Sequence, residues 1–171
     1  MTALRCTQKL LVAMRAQFAG PDGTSAARSC ARLGDWIINL LHVRPAKLVL
    51  AVSEHDCLGL LVEAAPFATL PQRFTGALFA HLFTLGVPPD IARRECDAMQ
   101  PLVITATTGY ANRLSIQGNM TEYTHLVHWY LDERMPLAEI NTRLSRQISK
   151  PVGYQYPGEL ARRRLCSEPG T

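Results

Sequence analysis

The stretch that decides the fold covers residues 36–65 and reads WIINLLHVRPAKLVLAVSEHDCLGLLVEAA. It contains three apolar runs, at residues 36–43, 47–53 and 57–63, separated by short breaks at 44–46 and 54–56. The residues of the two breaks favour turns or interrupt the hydrogen-bond ladder of a sheet. Parallel strands would need crossovers of about a dozen residues or more, so breaks this short predict an antiparallel meander of three strands.

The flanking segments predict two further strands and several helices. Residues 4–6 suit a short strand at an edge or beside the meander, and Thr7 is expected to cap a helix over 8–18. Residues 102–107, LVITAT, are rich in β-branched side chains and favour a fourth strong strand in the same sheet. Apolar residues recur at helical spacing over 74–85 and 120–131. The prediction is a single α+β domain, an antiparallel sheet with helices on one face.

The core domain is predicted to end near residue 134, and the rest of the chain to follow it as a helix and a tail. A helix over 135–150 carries a narrow apolar stripe of Leu137, Ile140, Leu144 and Ile148. Trp129 points away from the apolar face of the preceding helix, so this stripe is expected to cover Trp129 or to contact a protein partner or second subunit. Residues 151–171 begin with several Pro and Gly residues and are predicted to be a loosely ordered tail after the 1–134 core.

Composition points to a soluble globular protein. The chain has 171 residues, of which 47% are apolar and 19% charged, and this suits one domain with a real core. The apolar runs are about half the length of a membrane span, and the first residues do not resemble a signal peptide, so the cytoplasm is the expected location. Five scattered cysteines without a CxxC spacing are expected to be reduced thiols.

Charge gives a weak signal for nucleic-acid binding. The net charge is +4, and Arg162–Arg164 is the one basic run. Nucleic-acid-binding proteins usually carry a basic patch or stripe. We therefore expect these arginines to belong to a solvated tail, with nucleic acid as a less favoured partner.

Recognisable catalytic and cofactor motifs are missing from the sequence, so no cofactor is predicted. Glu122, His125 and His128 follow one another at three-residue steps, but a metal site needs three or four convergent ligands, and a solvated helix face is the better interpretation. His81 lies on an apolar face and is interpreted as a hydrogen-bonded core histidine. A nucleophilic role for Cys6 or Cys57 is possible, although spacing assigns neither of them a histidine partner.

The segment 112–120, NRLSIQGNM, is the most informative polar stretch. It places Arg113, Ser115 and Gln117 at the start of a helix that follows a core strand. Helix N-termini present unpaired N–H groups, and a neighbouring arginine would strengthen a site for an anion or carboxylate. The alternative is local capping by Asn112 or Ser115, with Arg113 in a surface salt bridge.

Three short motifs resemble a known protein family. Residues 5–10 read RCTQKL, residues 34–40 read GDWIINL, and residues 115–120 read SIQGNM. Together they resemble the bacterial family known as domain of unknown function 6933, over about residues 4–132. Two departures are the Pro45-Ala46 pair, where the family often has basic residues, and Arg113, which stands one place before the family's arginine. The resemblance implies a shared fold and no established activity.

These observations favour a non-enzymatic binding or protein-interaction module, although an enzyme is not excluded. The rival interpretation is a small enzyme or anion-binding protein with a polar site formed by Lys9, Asp35, Trp36, Asn39, Arg113, Ser115 and Gln117. A deep pocket with convergent polar groups would favour the rival, whereas a flat surface with an exposed apolar patch would favour the module.

Overall fold

The computed structural model describes residues 1–14, 29–43, 46–107 and 113–167. Within these ranges, five strands form one sheet and six α-helices pack around it. The strands are β1 (Thr2–Cys6), β2 (Trp36–Val43), β3 (Ala46–Ser53), β4 (Gly59–Glu63) and β5 (Leu102–Ala106). The helices are α1 (Gln8–Met14), α2 (Leu70–Thr84), α3 (Pro89–Ala98), α4 (Arg113–Asp132), α5 (Leu137–Ser145) and α6 (Pro157–Cys166).

The predicted meander is confirmed. β2 pairs antiparallel with β3, and β3 pairs antiparallel with β4. The second turn closes through two hydrogen bonds, in which the Ser53 amide donates to the Leu58 carbonyl at 3.0 Å and the Leu58 amide donates to Ser53 Oγ at 2.9 Å. The first break, at 44–45, lies outside the described residues, as does the end of the helix predicted over 8–18.

The sheet is mixed, so the prediction of a purely antiparallel sheet was wrong. Its strand order is β4-β3-β2-β1-β5, and β1 pairs in parallel with both β2 and β5. The short strand near the N-terminus therefore lies inside the sheet, and β5 forms the edge. The connection between β1 and β2 spans residues 7–35, which is long enough for the crossover that parallel pairing requires.

Helices cover both faces of the sheet, and the prediction of helices on one face was wrong. Leu4, Trp36 and Ile38 pack on one face with residues of α1, α2, α3 and α6. Ile37 and Leu41 pack on the opposite face with residues of α4 and α5. Successive side chains of a strand alternate between faces, so the nearly continuous apolar runs of β2 and β3 must be buried on both sides.

Residues 151–167 are an ordered part of the fold, which corrects the prediction of a loosely ordered tail for these residues. Residues 157–166 form α6, and Ala161 and Leu165 are buried in the α2-side core. A Cβ on Gly158 would lie 2.9 Å from Ser145 Cβ and 3.1 Å from a Leu85 methyl group, so glycine permits a close approach of α6 to α5 and α2. Two buried side chains on one helical face supply the packing energy that the Pro- and Gly-rich segment before them lacks.

Candidate functional site

The most informative feature for function is the divergence of two helices from adjacent parallel strands. β1 and β5 are neighbours and run in the same direction. The helix after β1, α1, packs on one face of the sheet, and the helix after β5, α4, packs on the other. Neighbouring parallel strands whose connections leave for opposite faces form a topological switch point, and open α/β sheets bind ligands outside the carboxyl ends of the strands at such points.

Polar groups lie at the carboxyl ends of β1 and β5. Thr7 follows β1 directly, and its hydroxyl donates to Asn39 Oδ1 at 2.8 Å. Thr105 is aligned with Arg5 on the neighbouring strand. Alternation along the strands places Asn39 and Thr105 on the face that also carries Ile37, the face covered by α4. We call the region bounded by Thr7, Asn39, Thr105 and the first turn of α4 the β1–β5 crevice.

The first turns of both helices are electrostatically positive. Neither α1 nor α4 has an acidic residue in its first turn, where a carboxylate would offset the positive end of the helix dipole. Lys9 is exposed in the first turn of α1, and Arg113 is the first residue of α4. The side chains of Arg113 and Ser115 lie outside the described part of the structure.

Gln117 lies on the flank of α4 opposite the one that contacts the 3₁₀ turn Lys150–Val152. On the other flank, Asn119 accepts a hydrogen bond from Ser149 at 3.1 Å, beside the 3₁₀ turn Lys150–Val152. Helical spacing separates positions 117 and 119 by about 200°, so the half-buried Gln117 is turned away from Ser149. The predicted residues Lys9, Asn39, Arg113, Ser115 and Gln117 are thus all on elements that border the crevice.

Asp35 was predicted as a ligand-binding residue, but the structure gives its carboxylate structural partners. The carboxylate accepts from the Ala3 amide at 2.9 Å and from Arg5 Nε and Nη2 at 3.0 and 2.6 Å. The Asp35 side chain is 6% exposed and that of Arg5 is 15% exposed. Asp35 immediately precedes β2, and its ion pair with Arg5 of β1 links the two strands. Asp35 therefore stabilises their parallel pairing.

Trp36 is also separated from the crevice. Its side chain is fully buried on the α2 side of the sheet and makes an edge-to-face contact with Phe74, with ring centroids 5.1 Å apart. The indole Nε1 has no hydrogen-bond partner among the described residues. Trp36 is therefore a core residue, and its inclusion in the predicted polar site is not supported by its position.

The comparisons with known proteins identify the family. A model described as "Domain of unknown function (DUF6933)" matches residues 3–160. The chain belongs to this family. No curated protein and no solved structure matches it. The DUF6933 match extends well beyond the 4–132 range of the motif resemblance, through α5 and into α6, so these C-terminal helices belong to the family domain.

Buried thiols of this DUF6933 domain are unsuited to nucleophilic catalysis. Burial raises the pKa of Cys6 to about 12 and the pKa values of Cys57 and Cys96 to about 11. The nucleophile in cysteine chemistry is the thiolate, which these three side chains do not form near neutral pH. The suggestion of a nucleophilic Cys6 or Cys57 is therefore disfavoured.

The histidines also fail to form a reactive cluster. His81 is buried, and its burial lowers its pKa to about 4, so the ring is neutral at pH 7. The core position is as predicted, but Nε2 lacks the expected hydrogen-bond partner among the described residues. Glu122, His125 and His128 are all exposed on α4. The described ranges contain no group of three side chains arranged to hold a metal ion.

The predicted cover for Trp129 is absent from the described structure. Ile140 and Leu144 are fully buried against the sheet and α4, but Trp129 remains 56% exposed and contacts Tyr130, with ring centroids 5.2 Å apart. Leu137 packs at the margin of that core, and Ile148 is 47% exposed. The helix packs on the core with most of its stripe, which leaves little of the stripe for a second subunit. No helix in the described ranges is long and apolar enough to cross a membrane.

Arg164 has a structural partner, although it is exposed like the other two arginines of the basic run. Its Nε donates to both carboxylate oxygens of Asp56, at 3.0 and 2.8 Å. The Asp56 side chain is 2% exposed and the Arg164 side chain 41%. Arg162 and Arg163 are exposed. The contact ties α6 to the turn between β3 and β4.

Replacing Arg164 with alanine is expected to lower the free energy of unfolding by about 2 kcal/mol, because a buried carboxylate loses its hydrogen-bond donor. Arg163→Ala, at the neighbouring exposed position, is the matched control and should change stability by less than about 0.5 kcal/mol. Urea denaturation followed by circular dichroism measures both. Equal effects of the two substitutions would show that the Asp56 contact contributes nothing.

Sequence reasoning missed the switch point and the roles of Thr7 and Thr105. A signal for the parallel pairing was present, since the connection over 7–35 is long enough to hold a crossover helix and crossovers of this kind are almost always right-handed. The pairing of β1 with β5 joins strands separated by about a hundred residues, and local sequence patterns contain no information on such a contact.

Proposed function

We propose that this protein is a binding module that holds a small anionic ligand in the β1–β5 crevice. The observation that carries the proposal is the topological switch point between β1 and β5, because open sheets with parallel strands bind ligands in the crevice outside the carboxyl ends at such a point. The five predicted site residues that border the crevice support the same location.

Charge favours an anion over a neutral or cationic ligand. The first turn of the 20-residue helix α4 presents amides that have no partner within the helix, begins with Arg113 and lacks an acidic residue. Lys9 adds a positive charge in the first turn of α1, and Asn39, whose Oδ1 accepts from the Thr7 hydroxyl, has a side-chain amide nitrogen that can donate. Phosphate, sulfate and carboxylate groups all match this set of donors.

Binding without catalysis is the better-supported version of the proposal. The buried thiols have raised pKa values, and the one histidine with a resolved shift lies in α2, away from the crevice. An enzyme would need a general acid or base within hydrogen-bonding reach of its substrate. A cytoplasmic location and a bacterial source stay predictions from the sequence.

Replacing Arg113 with alanine is expected to weaken anion binding by about 10- to 150-fold, which corresponds to about 1.5–3 kcal/mol for a hydrogen bond to a charged group. The fold should be retained. Titration calorimetry with inorganic phosphate, sulfate and small dicarboxylates gives the affinities, and thermal unfolding with each anion gives an independent measure.

Arg163→Ala is the matched control, since it removes an exposed guanidinium on α6, far from α4 in the chain. It should leave anion affinity unchanged. Absence of any anion response in the native protein, or equal losses in the two variants, would reject the crevice as an anion site and leave the interaction module as the favoured function.

A second candidate function, protein interaction, is supported by Trp129. An exposed tryptophan on the outer side of α4 is a common anchor of protein interfaces. Self-association through Leu137, Ile140, Leu144 and Ile148 is less favoured than the sequence suggested, because Ile140 and Leu144 are buried in the core. Sedimentation velocity of native and Trp129→Ala protein tests self-association through this side chain. Nucleic acid is the least favoured partner, since Arg164 pairs with Asp56.

A further inference from the structure

The five cysteines fall into two classes by burial. Cys6 and Cys96 lie in the core on the α2 side of the sheet, and Cys57 lies in the core on the α4 side. Cys30 and Cys166 are exposed. Thiol reagents should therefore react with Cys30 and Cys166 in the native protein.

The two exposed thiols line the same cavity. This cavity has a volume of about 490 Å³ and lies between α3, the C-terminal end of α6 and the segment that precedes β2. Besides the cysteines, its walls include Arg32, Ile91 and Leu165. Two residues separated by most of the chain length thus border one open space.

Arg32 holds the two cysteine-bearing segments against each other. Its Nη1 donates to the carbonyls of Leu165 and Ser167, both at 2.9 Å, and its Nη2 donates to Ser167 Oγ at 3.1 Å. Cys166 lies between these two acceptor residues, and Cys30 lies two residues before Arg32.

Glu95 fixes the same segment from the side of α3. Its carboxylate accepts from the amides of Arg32 and Leu33 at 2.9 and 2.8 Å. The backbone next to each exposed thiol is therefore anchored, while the thiols themselves border open space and not packed core.

We propose that Cys30 and Cys166 form a dithiol site that a low-molecular-weight disulfide oxidises to an intramolecular disulfide. One thiolate attacks the reagent's S–S bond, which breaks, and one thiol is released as a mixed disulfide forms. The thiolate of the other cysteine then attacks the Sγ of the first cysteine in the mixed disulfide. The bond between that Sγ and the reagent's sulfur breaks, and the second thiol leaves. The two cysteine sulfurs are oxidised, the reagent is reduced to two thiols, and the protons of the cysteines pass to those thiols.

The bond would tie the end of α6 to the segment leading into β2. A cross-link between positions so far apart in sequence constrains the unfolded chain strongly, so the oxidised protein should melt several degrees above the reduced protein. Oxidation would thereby fix α6, which otherwise depends on contacts such as the one between Arg164 and Asp56.

The test uses the full chain incubated with oxidised glutathione. The expected product is a monomer that has lost two hydrogen atoms by intact mass, with one linked peptide pair containing Cys30 and Cys166 after alkylation and digestion. Before oxidation, two thiols should react rapidly with a thiol reagent in the native state, and all five should react after unfolding.

Single substitutions separate the possible outcomes. Cys30→Ser and Cys166→Ser should each stop at a glutathione adduct on the remaining exposed cysteine and lose the increase in melting temperature. Cys96→Ser, which alters a buried thiol, should still form the bond. Separate glutathione adducts on Cys30 and Cys166 of the native protein, or a disulfide-linked dimer, would overturn the proposal.

Discussion

Replacing Asp35 with alanine is expected to lower the free energy of unfolding by about 3–5 kcal/mol, the scale for removing one partner of a buried ion pair. The substitution leaves the 15% exposed side chain of Arg5 without the carboxylate that binds its Nε and Nη2. It also removes the acceptor of the Ala3 amide. For a chain of this size the melting temperature should fall by roughly 6–20 °C.

Asp90→Ala is the matched control, because it removes a carboxylate from an ion pair with Arg94 in which both side chains are more than 70% exposed. Exposed pairs of this kind contribute less than about 1 kcal/mol. Denaturant unfolding followed by circular dichroism compares the two variants. Similar losses in both would contradict a structural role for Asp35 and would restore it as a candidate ligand-binding residue.

Acidification is expected to destabilise the native protein through His81 by about 3 kcal/mol between pH 7 and pH 4. Burial lowers the pKa of this side chain from 6.5 to about 4. Between these values the unfolded chain binds a proton that the folded chain does not, so the free energy of unfolding falls as the pH falls. The contribution is fully present above pH 6.5 and has been lost near pH 4.

His81→Leu isolates this contribution, because leucine cannot titrate. As the pH falls, the free energy of unfolding should decrease more for the native protein than for the variant. The comparison is needed because burial raises the pKa of Glu95, and a carboxyl group with a raised pKa contributes with the opposite sign. A difference between native and His81→Leu protein that is constant with pH would show that His81 titrates normally.

Local patterns in the sequence were sufficient for much of the secondary structure. The short breaks at 44–46 and 54–56 could be bridged only by tight turns, and this predicted the antiparallel meander that the structure contains. Helical spacing predicted α2 and α4 and the burial of Phe74, Met120 and Tyr123. The polar residues at the start of α4 also predicted an anion or carboxylate site there, and this helix start borders the candidate site.

Features that depend on contacts between distant parts of the chain could not be predicted from these patterns. Alternation along a strand shows that both faces of β2 are apolar, but the elements that cover each face are determined by packing among distant segments. The Asp35–Arg5 and Asp56–Arg164 pairs illustrate this limit, since a charged residue in the sequence gives no indication of a partner far along the chain. Local patterns also could not show that α5 packs on the core without covering Trp129.

The sequence by itself determined that the chain folds as an α+β domain around a meander, because periodicity and turn chemistry act over a few residues. Tertiary structure alone decided that β1 lies in parallel between β2 and β5, and that α1 and α4 leave for opposite faces of the sheet. It therefore also decided where the β1–β5 crevice lies. The physical reason is that strand order follows from burying both faces of the sheet at once, a condition satisfied by the whole chain and by no segment of it.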